Sequence, residues 1–281
     1  MRLPFFVVAI IAVFLSGCLE IPSQETLSTN VGPRLVDRCP LVVPATRQQV
    51  NGFASSFRLT TWNLHKFQRA NWQKQATVLA QHSDILLFQE AMERPALSQL
   101  LQQAHFNWQQ VQAFRLEGEV TGVLNASSVP ALYNCSLREL EPVSRIPKSA
   151  LVTLYPLAES SYPLLAINVH GINFELSMAA YHRQMERIFL LAKGYPGPVV
   201  LAGDFATWGD RRSAYLLTLA RQSGFDEALP TPDLRALVMS RPVDHIFYRK
   251  LQLKTVGNQA TNTSDHNPLW AEFSVIKNQV K

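Results

Sequence analysis

From residue 57 to residue 275 the chain is a succession of apolar runs whose period switches between two residues and three to four. Apolar and polar residues alternate over 57–63, a stretch rich in β-formers, and this predicts a strand that Asn63 closes. Trp72, Ala76, Leu79 and Ala80 then recur at helical spacing, and the run 84–88 predicts a buried strand ending at Glu90. Pro95 opens a second helix over 95–104, at a position where its missing N–H does no harm. The segments 107–114, 120–125, 131–137 and 151–157 read as strands separated by turn residues. A strand over 164–169 ends at His170. Met178, Tyr181, Met185, Ile188, Phe189 and Ala192 mark one face of the helix after it, which Gly194 and Pro196 stop. The apolar strand 199–202 delivers Asp204, a helix follows over 211–223, and 244–248, 251–256 and 269–275 supply the closing strands. Two α/β halves with β-rich middles imply a mixed-sheet α/β protein.

The front of the chain breaks this pattern. Arg2 precedes an apolar run, 5–14, that is too short to span a bilayer and has the form of a secretion signal. It leads into Leu15-Ser16-Gly17-Cys18, which resembles the lipobox of bacterial lipoproteins. That resemblance implies removal of residues 1–17 and lipidation of Cys18. With Leu19 next rather than aspartate, it also implies an address in the cell envelope at the outer membrane, facing the periplasm or the exterior. Residues 18–56, rich in Ser, Thr, Gln and Pro without a period, read as a lipidated tether and loosely packed lead-in, and residues 57–281 as one domain. An oxidising compartment makes Cys39 and Cys135 a candidate disulfide that would pin the lead-in to the body. A composition of 47% hydrophobic and 17% charged residues calls for an ordered core rather than disorder. The net charge of +5 favours phosphate-bearing ligands but falls far short of a dedicated nucleic-acid binder.

Chemistry-bearing residues gather at strand ends, where α/β folds place their sites. Asn63, Glu90, His170 and Asp204 each close an apolar run, and Asp265-His266 precedes the last one. Asn63, Glu90 and Asp265 offer oxygen ligands of the hardness that suits Mg²⁺ or Mn²⁺. An imidazole beside a carboxylate, as at His266, suits proton transfer. The run 66–72 interleaves basic and aromatic residues, so Lys66 and Arg69 are candidates for holding a substrate phosphate, the plain alternative being a solvated loop. His65 lies close enough to Asn63 to line the site, whereas His82, His105, His182 and His245 occupy no such position.

Taken in order, Trp62-Asn63, Gln89-Glu90, Val169-His170, Gly203-Asp204-Phe205, Val243-Asp244-His245-Ile246-Phe247 and Ser264-Asp265-His266-Asn267-Pro268 resemble the landmarks of the endonuclease/exonuclease/phosphatase superfamily, the DNase I-like fold. The resemblance spans roughly 57–275 and implies a four-layer α/β sandwich, two packed mixed β-sheets flanked by helices. It implies that Glu90 binds a divalent metal, Mg²⁺ or Mn²⁺, with Asn63 and Asp265 completing or supporting the site. Asp204 would orient or deprotonate a water. His266 would contact the scissile phosphate or act as acid/base, with Asp244 fixing its tautomer, and His170 would be the second phosphate-binding or proton-donating histidine. The implied activity is a metal-dependent phosphoesterase that cuts a phosphodiester by in-line water attack, acting as a monomer. Nucleic acid is the first expected substrate, and phospholipid head groups and inositol phosphates are the others. One position departs from the family pattern: Ala206 stands where an asparagine is usual, leaving Thr207 as a stand-in donor. The alternative implied by Ala206 is a weakened or inactive copy of the fold that binds a phosphorylated ligand or a partner protein.

Overall fold

The computed structural model describes residues 19–44 and 52–276; the leader and Cys18, with the lipidation expected there, lie outside the described residues. The strands are β1 (Leu19–Glu20), β2 (Thr26–Thr29), β3 (Arg34–Leu35), β4 (Ser56–Asn63), β5 (Ile85–Met92), β6 (Asn107–Leu116), β7 (Glu119–Ser127), β8 (Tyr133–Leu140) and β9 (Pro147–Tyr155). They continue with β10 (Leu164–His170), β11 (Val199–Asp204), β12 (Asp226–Glu227), β13 (Leu237–Val238), β14 (Arg241–Pro242), β15 (Asp244–Arg249), β16 (Leu251–Asn258) and β17 (Leu269–Val275). The helices are α1 (Trp72–Gln81), α2 (Pro95–Gln103), α3 (Ala179–Gly194) and α4 (Asp210–Gln222), and a 3-10 turn covers His65–Phe67.

Two parallel pairs organise the molecule. β4 and β5 run side by side with Asn63 opposite Gln89, and β10 and β11 with His170 opposite Asp204. Each pair is joined through a helix, α1 or α3, because parallel neighbours need a crossover. The first pair lies inside the sheet β16-β17-β4-β5-β7-β6-β2-β3, where β1 also pairs with β6, and the second inside the sheet β12-β15-β11-β10-β9-β8. The period of two then sorts the cores. Phe57, Leu59, Ile85 and Leu87 meet Leu164, Ala166, Val200 and Ala202 in one core between the sheets. Residues of opposite parity face outward: Trp62, Leu86 and Phe88 pack with α1 and α2, while Leu165, Ile167, Val199 and Leu201 pack with α3 and α4. The result is the four-layer α/β sandwich.

The lead-in departs from the expectation of a loose tether. β2 adds to β6 with Leu27 fully buried against Val111 and Val123, and polar side chains fasten it. Ser28 Oγ donates to Glu93 Oε2 at 2.8 Å, Thr26 Oγ1 to Gln112 Oε1 at 2.8 Å, and Ser136 Oγ to Glu25 Oε2 at 2.6 Å. A segment whose hold is one leucine and several hydroxyls shows no hydrophobic period to read. Cys39 and Cys135 form a disulfide with their Cα atoms 4.9 Å apart, closing a loop of 96 residues. Chain entropy for a loop of that length sets a ceiling of about 4–5 kcal/mol on its contribution, of which native disulfides commonly deliver about 2–4. Cys39→Ala with Cys135→Ala is therefore expected to lower the melting temperature by about 5–10 °C in a scanning measurement. An unchanged melting temperature would mean that the pairing of β2 alone secures the lead-in.

Candidate active site

Strand parity places the site. Asn63 continues the inward face of β4, His170 that of β10 and Asp204 that of β11, so three polar ends emerge at the gap between the sheets. Asp244 pairs with Asp204 and shares the inward face of β15 with Ile246. On an undisturbed strand Glu90 would point outward. A β-bulge between Phe88 and Ala91, with Glu90 at φ 50°, sets Gln89 and Glu90 against a single residue of β7 and turns both inward, and Ala91 returns to the outer core. Gln89 then bridges the sheets, its Nε2 donating to Asn168 Oδ1 at 2.7 Å, while Asn168 Nδ2 donates to the Phe88 and Leu124 carbonyls, each at 3.0 Å. Gly203 precedes Asp204 at φ 143°, and a Cβ there would lie 2.1 Å from the Val169 carbonyl oxygen. Only glycine lets β11 approach β10 so closely before its polar end.

Asp204 sits at the middle of the cluster. Its Oδ2 accepts from Asn63 Nδ2 at 3.1 Å and its Oδ1 from the Ala206 backbone N–H at 2.9 Å. The Nε2 atoms of His170 and His266 each lie 3.9 Å from Asp204 Oδ2. His266 Nδ1 donates to Asp244 Oδ2 at 2.8 Å. The Trp62 indole donates to the His266 carbonyl at 2.9 Å and Ser264 Oγ to the Asn63 carbonyl at 2.7 Å, which fastens the turn carrying His266 to the end of β4.

The two histidines are held in opposite states. Burial by itself would lower the His266 pKa, but Asp244, then Asp204 and Asp265, outweigh it and bring it up to about 10, so the ring is an imidazolium at neutral pH. Burial pushes the Asp244 carboxyl up, and His266 pulls it back. Burial also drives the His170 pKa well below the ordinary value, and the Lys148 ammonium reinforces this. Neutral His170 accepts at Nε2 from Lys148 Nζ at 2.8 Å. Lys148 is buried as well, which lowers its own pKa against the opposing pull of Glu141, Glu90 and Asp204. On the other side Lys66 pairs with Glu90, whose second oxygen lies 3.6 Å from His170 Nε2. Burial would raise the Glu90 carboxyl, but the positive charge of His170, Lys66 and Lys148 brings it down to about 2. With His170 neutral near pH 7, the two lysines keep Glu90 ionised there.

The sequence profile of the Endonuclease/Exonuclease/phosphatase family matches residues 60–266, a span that holds every residue of this cluster. The chain belongs to the endonuclease/exonuclease/phosphatase family. It is 34% identical over 257 residues to a UPF0294 protein of Vibrio cholerae, an alignment covering 91% of each chain. Among solved structures it resembles the endonuclease/exonuclease/phosphatase of Beutenbergia cavernae, with a TM-score of 0.61 at 15% identity over 78% of this chain and 72% of that one. It also resembles D. rerio TDP2 complexed with a single-strand DNA product, with a TM-score of 0.58 at 16% identity over 79% of this chain and all of that one. Members of the family are in general divalent-metal-dependent hydrolases of phosphoesters.

Of the residues expected from the sequence, Lys66, Glu90, His170, Asp204, Asn63, His266 and Asp244 form one connected cluster, and two others, Asp265 and Arg69, stand apart. Asp265, its side chain 43% exposed, turns to His65 Nδ1 at 3.5 Å rather than to Glu90. Arg69 donates from Nη1 to the Ser264 carbonyl at 2.6 Å, so its guanidinium braces the turn that carries His266. Among the described residues no three His, Cys, Asp or Glu side chains converge as a metal cage. The donors are nonetheless hard oxygens, and Glu90 is an ionised carboxylate already neutralised by a cation, the Lys66 ammonium. These residues fit a hard divalent ion that competes with Lys66 for Glu90. Thr207 does not stand in for the asparagine that Ala206 replaces. It is fully buried, its hydroxyl 2.6 Å from the Pro242 carbonyl and 2.8 Å from His245 Nε2, facing away from Asp204. His245 lies on the outward face of β15, where Glu227 and Arg235 close a separate buried network around it.

Lys148 escaped the sequence reading, which begins this strand at residue 151, whereas β9 begins at Pro147 and is buried throughout. The signal is present in Ile146-Pro147-Lys148-Ser149-Ala150-Leu151: a lysine at the head of a buried run is stable only when paired.

Proposed function

We propose that the chain is a divalent-metal-dependent phosphoesterase of the cell envelope that cleaves a phosphodiester by in-line attack of water. The observation that carries this reading is the arrangement of Asp204 between His266, held as an imidazolium by Asp244, and neutral His170, with Lys148 and Lys66 beside it. Asp204, fixed at both oxygens, orients the water and takes its proton. His266 contacts the phosphoryl oxygens and supplies a proton from Nε2 to the leaving oxygen, and Asp244 stabilises the charge that His266 carries before that transfer. Lys148, supported by Glu141 at 4.0 Å and by His170, adds positive charge where phosphoryl oxygens gather charge in the transition state. Glu90, with Asn63 beside it and with Asp265 if that exposed side chain turns from His65, would hold a divalent ion, Mg²⁺ or Mn²⁺, which would supply Lewis acidity to the reaction.

Nucleic acid is the first substrate, supported by the structural likeness to a protein that holds a single-strand DNA product. Phospholipid head groups and inositol phosphates follow, and the protein acts as a monomer lipidated at Cys18 in the outer membrane. Every described element lies between residues 19 and 276, so a chain of residues 19–281 retains all of them. Its hydrolysis of plasmid DNA and of a generic phosphodiester is expected with Mg²⁺ or Mn²⁺ and is abolished by EDTA. Inertness towards every phosphoester class with either metal would sink the hydrolase reading. Ala206 favours a second reading, a weakened copy that binds a phosphorylated ligand or a partner protein, in which binding survives without turnover.

A further inference from the structure

A second concentration of positive charge lies outside the catalytic cluster. A cleft of about 770 Å³ opens at the outer edge of β8, beside the point where Arg38 bridges Ser136, and among the described residues Arg38, Arg138, Arg145, Arg183 and Arg187 line it with a single carboxylate, Glu139. Glu139 is engaged by Arg183, which reaches it with Nε at 3.2 Å and Nη2 at 2.8 Å. Arg138 donates from Nη1 to the Pro22 carbonyl at 2.9 Å, while its buried Nε has no partner. The side chains of Arg38, Arg145 and Arg187 are exposed and have no acidic partner among the described residues. So many guanidinium groups around one carboxylate repel one another, and the arrangement calls for an anion. Planar, forked guanidinium groups match phosphate oxygens in particular.

We propose that this cleft docks the protein on an anionic phospholipid surface, its arginines engaging lipid phosphates. Three observations choose the lipid surface. The cleft is lined by Ile21, Pro22 and Ser23, which begin three positions after Cys18, so the chain that follows the expected lipid anchor forms part of its wall. Apolar side chains stand among the arginines, with Ile21 40%, Leu140 39% and neighbouring Val143 59% exposed, the mixture of an interfacial surface. Among the described residues no aromatic side chain lines the cleft, which leaves it without the stacking platforms on which single-stranded nucleic acid binds.

The register ties the cleft to the site. Asp204 stands opposite His170, Val169 opposite Ala150 and Ser149 opposite Arg138, so the cleft lies three strands from Asp204 and two from His170, at the same end of the sheet. The longer of these spans is ~14 Å at the usual strand spacing. Docking through the arginines would hold the catalytic end of the sandwich at the membrane, whatever phosphoester it cleaves, and so does not depend on the hydrolase reading.

The test is sedimentation of unlipidated residues 19–281 with vesicles of phosphatidylglycerol and phosphatidylcholine at 3:7, and with pure phosphatidylcholine. Three arginines near a charged surface account for about 100-fold in partitioning, about 5-fold each. The triple variant Arg38→Gln, Arg145→Gln, Arg187→Gln is expected to lose that much, and the corresponding Arg→Lys triple to retain most of it. A control triple outside the cleft, Lys74→Gln, Arg221→Gln, Lys254→Gln, is expected to lose far less. Equal binding to pure phosphatidylcholine, or equal losses in the two Gln triples, would overturn the proposal. So would a cleft triple that loses binding to a single-stranded oligonucleotide while the parent ignores the vesicles. The cleft side chains are exposed, so the triple folds as the parent does, and a matching melting temperature verifies it.

Discussion

Replacing His266 by alanine is expected to lower phosphodiester turnover by about 10²–10⁴-fold, the span that a positioned acid contributes. A large loss alone would not distinguish chemistry from architecture, because the His266 backbone is held by the Trp62 indole and by Ser264 Oγ. Asp244→Asn separates them. His266 has its pKa raised to about 10 although burial acts the other way, and Asp244 at 2.8 Å is the leading cause. With an amide at that position the imidazole falls back toward its ordinary value of ~6.5. If the protonated ring is the acid, the parent keeps its activity up to about pH 10, and the variant loses activity as pH rises through ~6.5. At pH 8 that amounts to a further loss of about 30-fold, recovered at pH 5.5. The stability sign agrees. A folded pKa of about 10 against ~6.5 in the unfolded chain stabilises the protein fully below pH 6.5 and ceases to do so as pH passes about 10. Asp244→Asn should therefore cost the most melting temperature below about pH 6.5, with the cost shrinking as pH rises from there to about 10. A variant equally slow at pH 5.5 and pH 8 would show that Asp244 orients His266 without setting its charge.

The inward-facing part of this site was legible because strand periodicity is simple. Asn63, His170 and Asp204 follow apolar residues of the same parity that fill the core between the sheets, so identifying the strands also assigned their last side chains to one gap. Glu90 was legible from its place at the end of an apolar run and from the family resemblance, but not from strand parity. On parity alone it belongs under the helices, and the bulge that turns it inward rests on a left-handed residue with no glycine to announce it. Lys148 and the pairing of β2 were illegible for different reasons. The lysine opens a buried strand from what reads as a loop, and β2 is held by hydroxyl and carboxylate partners more than 60 residues away. Arg69 and Thr207 show the limit in the other direction. Both have side chains able to meet a phosphate, and both are committed to backbone carbonyls of this fold.

Ala206→Asn is expected to raise turnover by about 10²–10³-fold, the effect of one preorganised donor at a phosphoryl site, read from the other side. The geometry gives two independent reasons. Ala206 has φ 50°, in the left-handed region where a residue with a Cβ carries strain of about 1–2 kcal/mol and asparagine is among the few tolerated. Its backbone N–H donates to Asp204 Oδ1 and its carbonyl accepts from Arg212 Nη1 at 3.1 Å, so the turn is held on both sides and a longer side chain need not move it. The missing donor has no substitute, because Thr207 is turned to Pro242 and His245. The asparagine variant should therefore be faster and slightly more stable, by about 2–4 °C in melting temperature for ~1 kcal/mol of relieved strain. The two readouts keep the interpretations apart. A gain in both marks Ala206 as a change that tunes a working hydrolase. A parent inert with every substrate whose variant acquires turnover marks a sound scaffold retained for binding. A variant that melts lower and stays inert would mean that the pocket around residue 206, which leaves Ala206 only 4% exposed, has closed on the smaller side chain, and would count against a recoverable active site.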